Sequence, residues 1–373
     1  MDNSRTTAER RFAASRTSQR LLSGERMATM RERLAQLADL EGLDVQPDVY
    51  GTDGPVRGLE ERVAGLLGAE EAVFFPTGTM AQQVALRYGA ELTGRRAVAL
   101  HPLSHLEVHE RQAYNQLTGL RGLWPTTEHR IPTPAELASL GEPFGTLTVE
   151  LPLRDAGYLL PTWDELAELA AAARATGARV HVDGARLWST TEHFGKPLDV
   201  IAGLADSTYV SFYKDLHGLS GAALVGDAGL AGYARAWRHR HGGTLYQQWP
   251  AAVAALYGLD TVLPRLPDYV RQARSLAPAL GALPGARINP ARPQTNEFQL
   301  WLPHSAQALN AAHLALAEQE GTWFVSRWRD AAPGLAMAEV TIGAPALEWT
   351  PADVTEAGTR FLELVTRQDT TRP

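Results

Sequence analysis

The sequence predicts an α/β protein: a large domain with a mostly parallel sheet between helices, followed by a smaller C-terminal α+β domain. Three observations carry this prediction. Short apolar, β-branched runs alternate with helix-length amphipathic stretches from about Ala72 to Val225, which is the pattern of repeated βαβ units. After Gly243 that alternation gives way to a long helical region and then to strands and helices in mixed order. At 373 residues the chain is long enough for one large domain plus a smaller one.

Taken in order, residues 1–45 read as a loose, polar start followed by a helix over Glu25–Leu40, with Met27, Met30, Leu34, Leu37 and Leu40 at helical spacing. The turn formers of Pro47–Pro55 make a loop. A helix over Val56–Leu67 closes at Gly68, a strand covers Ala72–Phe75, and Pro76-Thr77-Gly78-Thr79 leads into a helix from Met80 to Leu92. Strands follow at Arg96–Leu100, Gly122–Trp124 and Thr146–Glu150, with one polar helix over His105–Leu117 between the first two. Trp163–Ala175 is amphipathic, with Thr162 as N-cap and Gly177 at its end. The strands Arg179–Asp183, Ser207–Phe212 and Ala222–Val225 complete the large domain over 46–254. The small domain, 255–373, holds the rest of a helical region broken at Pro264 and Pro267. Strands at Glu297–Leu302, Thr322–Trp328 and Met337–Ile342 follow, with helices at Ala306–Glu320 and Pro351–Arg367.

Composition removes several classes of function. The net charge of −7 is spread without basic or acidic blocks, so neither nucleic acid nor a membrane surface is an expected partner. With no cysteine there are no disulfides, thiolate nucleophiles or Cys-ligated zinc, which suits a cytoplasmic protein. No apolar run approaches the roughly 20 residues of a membrane span. The Arg-rich start lacks the apolar stretch of a secretory signal; its composition is compatible with a transit peptide, and a flexible start is the simpler reading.

The groups able to carry chemistry gather at strand ends. Asp183 follows a β-branched run and precedes Gly184; such a carboxylate can hold a ring nitrogen protonated, as a pyridinium electron sink requires, or cap a turn. Lys214 emerges just past a buried strand, where a lysine can have a lowered pKa and form a Schiff base, or pair with Asp215. Gly78 and Thr79 stand between a strand and a helix, whose free N–H groups suit a phosphate, or form a plain strand-to-helix turn capped by Thr77 or Thr79. Arg186 is near enough to Asp183 to clamp a carboxylate or to form a structural ion pair. His105 and His109 stand four apart, but without the adjacent glutamate of a zinc-protease helix or a third ligand, so no metal site is expected. A cover over a flat cofactor ring is the alternative role for His105.

Together these segments resemble the threonine aldolase family, within the aspartate-aminotransferase fold of pyridoxal 5'-phosphate (PLP) enzymes. The resemblance runs from about Asp48 to Ala255. It is carried by Asp48-Val49-Tyr50-Gly51, Phe75-Pro76-Thr77-Gly78-Thr79-Met80-Ala81, Ser104-His105, His181-Val182-Asp183-Gly184-Ala185-Arg186, Ser211-Phe212-Tyr213-Lys214 and Trp237-Arg238 with Gly242-Gly243. It implies Lys214 as the Schiff-base lysine, Asp183 as partner of the pyridine nitrogen and His105 stacked on the ring. Gly78 and Thr79 are implied at the phosphate and Arg186 at the substrate carboxylate. Tyr50 becomes a substrate contact reached across the interface of a homodimer or homotetramer.

The implied reaction is cleavage of a β-hydroxy-α-amino acid to glycine and an aldehyde; another PLP-dependent carbon–carbon or β-elimination lyase is the alternative. Two departures bear on the substrate. The Glu-Asn-Thr-His of the family is replaced by Glu150-Leu151-Pro152-Leu153-Arg154-Asp155, so the histidine expected to meet the β-hydroxyl is missing. A second carboxylate-binding arginine in the small domain also has no match, since that strand reads Met337-Ala338-Glu339-Val340-Thr341.

Overall fold

The strand-forming runs of the large domain assemble into one sheet, seen here in a computed structural model that describes residues 6–40 and 42–370. The first five residues of the expected loose start lie outside the described residues. Strands β1 (Glu71–Phe75), β2 (Ala97–Ala99), β3 (Arg121–Leu123), β4 (Thr146–Glu150), β5 (Arg179–Gly184), β6 (Ser207–Ser211) and β7 (Ala222–Gly226) lie in the order β1-β7-β6-β5-β4-β2-β3. From β6 to β3 every pairing is parallel, and β7 runs antiparallel to both its neighbours. β4 is buried along its whole length, as a parallel strand covered on both faces must be.

Helices α1 (Gly54–Leu66), α2 (Gly78–Thr93), α3 (Trp163–Ala175), α4 (Ala228–Arg240) and α5 (Trp249–Thr261) complete this unit. α2 and α4 bury Val84, Ala85, Leu230 and Ala234 against Val73, Phe75, Tyr209 and Leu224 of the sheet. Thr162 and Glu165 close a reciprocal capping box on α3, and Gly177 takes the left-handed conformation just past its end, as expected. The helix expected over His105–Leu117 is two short ones, His105–Val108 and Ala113–Thr118. Arg111 and Gln112 at φ 52° and 57° turn the chain between them, which a right-handed helix cannot accommodate.

The second unit joins the described residues up to Gln36 to those from Leu266 onward. It contains α6 (Leu266–Gly281), α7 (Ala306–Glu320) and α8 (Pro351–Thr370) with strands β8 (Arg287–Asn289), β9 (Glu297–Leu302), β10 (Arg329–Ala332) and β11 (Leu335–Thr341). The sheet order is β10-β11-β9-β8, antiparallel throughout. Of the strand expected over Thr322–Trp328, only Thr322–Trp323 is extended in a pair, and its partner is Arg20–Leu21.

Two expectations about domain layout differ from this arrangement. The polar start is not loose: Thr6 and Glu9 cap a helix over Thr7–Thr17, and Ala14 and Leu21 pack with Leu314, Ala317 and Trp323. The described residues up to Gln36 therefore belong to the second unit rather than standing alone, and those from Leu37 belong to the large unit. The boundary falls after Arg265 instead of near 255, because α5 continues through 255 and packs on α1.

A buried carboxylate ties the start of the large unit to α5. Asp48 accepts hydrogen bonds from the N–H groups of Gly51, Gln248 and Trp249 at 2.7 to 3.1 Å. Replacing Asp48 by Ala leaves those donors without their acceptor, and the expected loss is about 2–4 kcal/mol of stability, measured by denaturant unfolding. A loss below about 0.5 kcal/mol would contradict the assignment.

Candidate active site

Parallel register brings the chemistry-bearing strand ends side by side. Glu150 on β4 is the register partner of Asp183 on β5, and Asp183 is the partner of Tyr209 on β6. Lys214 follows β6 on a loop folded back by Gly218 N–H donating to the Phe212 carbonyl at 2.8 Å. Trp188 Nε1–H donates to the Ser211 carbonyl at 2.9 Å and Ser211 Oγ to the Ala185 carbonyl at 3.0 Å, which pins the ends of β5 and β6 together. Ligands in open α/β sheets bind outside the carboxyl ends of such strands.

Asp183 is buried and held by donors. Its Oδ2 accepts from Gln82 Nε2 at 2.5 Å and its Oδ1 from the Ala185 N–H at 3.2 Å. Gln82 is oriented in turn, since its Oε1 lies 2.6 Å from His181 Nε2, while His181 Nδ1 lies 2.8 Å from Ser207 Oγ. With the Gln82 amide donating to Asp183, its oxygen must accept, so the His181 proton sits on Nε2. Burial holds His181 down to about 4, which keeps that ring neutral. The result is a relay of neutral groups, Ser207 to His181 to Gln82, that presents a donor to the carboxylate. Burial pushes the Asp183 pKa up, and the charges of Lys214 and His105 oppose that shift.

Lys214 is one of two lysines in the chain. The other, Lys196, is exposed beside Trp163. Burial and then the Arg186 charge pull the Lys214 amine below the ordinary lysine range, against Asp183, Glu150 and Asp215. A lowered pKa leaves more neutral, nucleophilic amine. The Arg186 guanidinium is 5.3 Å from the centre of the buried Tyr158 ring.

His105 is fixed at both ends. Its N–H donates to Glu150 Oε2 at 2.7 Å, and its Nδ1 lies 3.2 Å from Glu110 Oε1. Glu110 also accepts from Gln83 Nε2 at 3.2 Å. Burial pulls the His105 pKa down, but the Glu110 hydrogen bond and the Asp183 charge outweigh it, so the net shift is upward. Glu150 accepts from both the His105 and Arg154 N–H groups, and burial together with the Asp183 charge pushes it up to about 7.

At the start of α2, Thr77 is the cap, its Oγ1 accepting from the Met80 N–H. The N–H groups of Gly78 and Thr79 then have no partner within the helix, the usual condition of an anion-binding helix end. A Cβ on Gly78 would stand 2.2 Å from the Tyr209 hydroxyl, so only glycine fits between α2 and β6. Tyr50 is placed differently: it is 53% exposed and its described ring contact is Tyr246, centroids 5.5 Å apart, rather than the Asp183 group.

The structure thus brings Lys214, Asp183, His105 and Arg186 into one electrostatic neighbourhood, with Gly78 and Thr79 on the helix that also supplies Gln82. Gln82, Gln83, Glu110, Glu150 and His181 were given no role by sequence reasoning, although Glu150 and His181 lie in the segments compared with the family. A signal for the glutamines existed: two adjacent amides interrupt the run Ala81–Leu86, every residue of which is buried. An amine with lowered pKa, a buried carboxylate, an imidazole and a free helix N-terminus are the donor set that PLP requires.

The fold and these groups define a PLP-dependent enzyme of fold type I. The chain belongs to the beta-eliminating lyase family, whose model matches residues 24–302. It is 29% identical over 273 residues to a probable low-specificity L-threonine aldolase of Arabidopsis thaliana, covering 70% of this chain and 76% of that one. It is also 29% identical to the low-specificity L-threonine aldolase of Escherichia coli K12, over 63% of this chain and 71% of that one. Two crystal structures superpose with a TM-score of 0.88. One is a candidate aromatic amino acid beta-eliminating lyase/threonine aldolase from Exiguobacterium, 33% identical over 95% of this chain and 99% of its own. The other is a candidate L-allo-threonine aldolase from Listeria monocytogenes, 31% identical over 96% of this chain and 100% of its own. The chain is a divergent member of the threonine aldolase family and a PLP-dependent lyase.

The raised Glu150 pKa has a testable consequence in the cofactor-free protein. A carboxyl that holds its proton more tightly when folded adds stability below its unfolded value of about 4.5, and that stability is lost as pH rises through about 7. Wild type should therefore lose stability relative to Glu150→Gln across this window, measured by urea unfolding at each pH. A difference that does not change with pH would contradict the shift.

Proposed function

We propose that the protein is an aldolase that cleaves a β-hydroxy-α-amino acid of the threonine, allo-threonine or phenylserine type to glycine and an aldehyde. The observation that carries this reading is that Lys214, Asp183 and Arg186 come from adjacent strand ends and that Lys214 and Asp183 act electrostatically on each other and on His105. The threonine aldolases among its relatives support the same substrate class.

In this reading Lys214 holds PLP covalently, Asp183 pairs with the pyridine nitrogen and His105 covers the ring. The N–H groups of Gly78 and Thr79 hold the phosphate. When bound, PLP supplies an electron sink for the pair released at the substrate Cα. Arg186 receives the substrate carboxylate and fixes which bond to Cα is labilised. Gln82 keeps a proton donor on Asp183, so the carboxylate stays aligned. The lowered pKa of Lys214 leaves more of its amine neutral and able to take up a proton.

A second reading, β-elimination from a serine-type or aromatic amino acid, is favoured by the altered segment Glu150–Asp155. The Exiguobacterium structure, described as a beta-eliminating lyase/threonine aldolase, points the same way. For assembly we infer a homodimer or homotetramer, with the exposed rings of Tyr50 and Tyr246 at the interface and Tyr50 reaching the partner's substrate. We place the enzyme in the cytoplasm on its cysteine-free composition. Among the described residues no helix is long and apolar enough to cross a membrane.

The purified holoenzyme should release glycine and an aldehyde from at least one of L-threonine, L-allo-threonine and phenylserine. Lys214→Ala should abolish this and Lys196→Ala should leave it unchanged. With L-serine added to the panel, a 2-oxo acid and ammonia in place of glycine (pyruvate from serine, 2-oxobutyrate from threonine) would establish elimination, and no product from any of these substrates with PLP bound would overturn both readings.

A further inference from the structure

Beside this site stands a histidine–carboxylate pair that none of the roles above uses. His109 ends the short helix that His105 begins, and the two rings lie 5.2 Å apart with their planes at 43°. His109 Nε2 is 2.7 Å from Asp155 Oδ2. Arg154 Nη1 approaches the same nitrogen at 3.3 Å and Asp155 Oδ1 at 3.5 Å. The shorter contact assigns the His109 proton to Nε2, donating to the carboxylate, which leaves Nδ1 as the basic nitrogen.

The pair is not a chance surface contact. Its two halves come from segments held by the same buried carboxylate: Glu150 Oε2 accepts from the His105 N–H at 2.7 Å and Glu150 Oε1 from the Arg154 N–H at 3.1 Å. One side chain therefore sets both the start of the His105–Val108 helix and the loop that carries Asp155. His109 keeps 34% of its side chain exposed and Asp155 14%, so the imidazole is ordered yet open to a ligand. An imidazole oriented by a carboxylate is the standard arrangement of a general base.

We propose that His109, oriented by Asp155, accepts the proton of the substrate's β-hydroxyl. This rests on the aldolase reading above. It fills the role left open by the missing histidine after Glu150 from a neighbouring helix. The hydroxyl proton passes to Nδ1, and the O–H electron pair becomes the second bond of the aldehyde carbonyl. The Cα–Cβ bond breaks with its pair left on Cα, and a proton taken up there completes glycine. His109 is thus a catalytic residue and Asp155 a positioning residue.

Two measurements on the PLP-loaded protein test this. The first is equilibrium binding, followed by cofactor absorbance, of L-serine and L-alanine, which differ only by the β-hydroxyl. Wild type should favour serine by about fivefold, the scale of one hydrogen bond, and His109→Phe should bind both equally with alanine unchanged. The second is cleavage of the best β-hydroxy substrate. His109→Ala should lower kcat by about 10²–10⁴-fold with little change in KM, and added imidazole should restore part of it. Asp155→Asn, which keeps the shape but not the charge, should lower kcat less. Variants that keep the serine preference and cleave at the wild-type rate overturn the proposal while leaving the aldolase reading intact. A wild type without serine preference and without glycine release overturns the aldolase reading itself, and this role with it.

Discussion

Burying the carboxylate of Asp183 is the constraint on which the rest of the site depends. A charge removed from water at the end of β5 is costly unless donors and opposite charge surround it. Here the Gln82 amide and the Ala185 N–H supply the donors, and Lys214 and His105 supply the charge. Each of these is itself placed by something nearby. The consecutive glutamines of α2 divide the work: Gln82 reaches Asp183 directly, and Gln83 reaches Glu110, which holds the His105 ring. One turn of one helix therefore orients groups on two different segments, and the glycine at its start, pressed against Tyr209, sets how close that helix comes.

The same burial raises a second problem, because Glu150 is the register partner of Asp183 and is also buried. Burial first, and repulsion from the adjacent Asp183 carboxylate second, hold the Glu150 proton up to about 7. What Glu150 gains is two backbone donors, and with them the position of the two segments that carry His105 and Arg154. Architecture and electrostatics meet at this residue: the parallel register that delivers the reactive groups also forces the like-charge contact.

Much of the large unit was legible in the sequence because alternating apolar runs and helix stretches report burial on a period that local residues set. Lys214, Asp183, Arg186 and the start of α2 stood out as candidates because strand ends in such sheets carry ligands and because their order matched a known family. The relay through His181, Gln82 and Ser207 was not legible, since it joins residues about 100 and 26 apart that only the fold brings together. The break between His105–Val108 and Ala113–Thr118 was hidden for a different reason: Arg111 and Gln112 take left-handed conformations that neither residue type announces. The helix over Thr7–Thr17 did carry a signal, the capping pair Thr6 and Glu9, which the polar composition masked. The scarcity of lysine, two residues against a surface served almost wholly by arginine, was also there to be read and bears directly on Lys214.

That scarcity makes the central claim open to a direct measurement. The holoenzyme is reduced with borohydride, digested, and the peptides are weighed. The account predicts one phosphopyridoxyl group, on the peptide containing Lys214 and absent from that containing Lys196. A label on Lys196, or PLP bound with neither lysine marked, would contradict it.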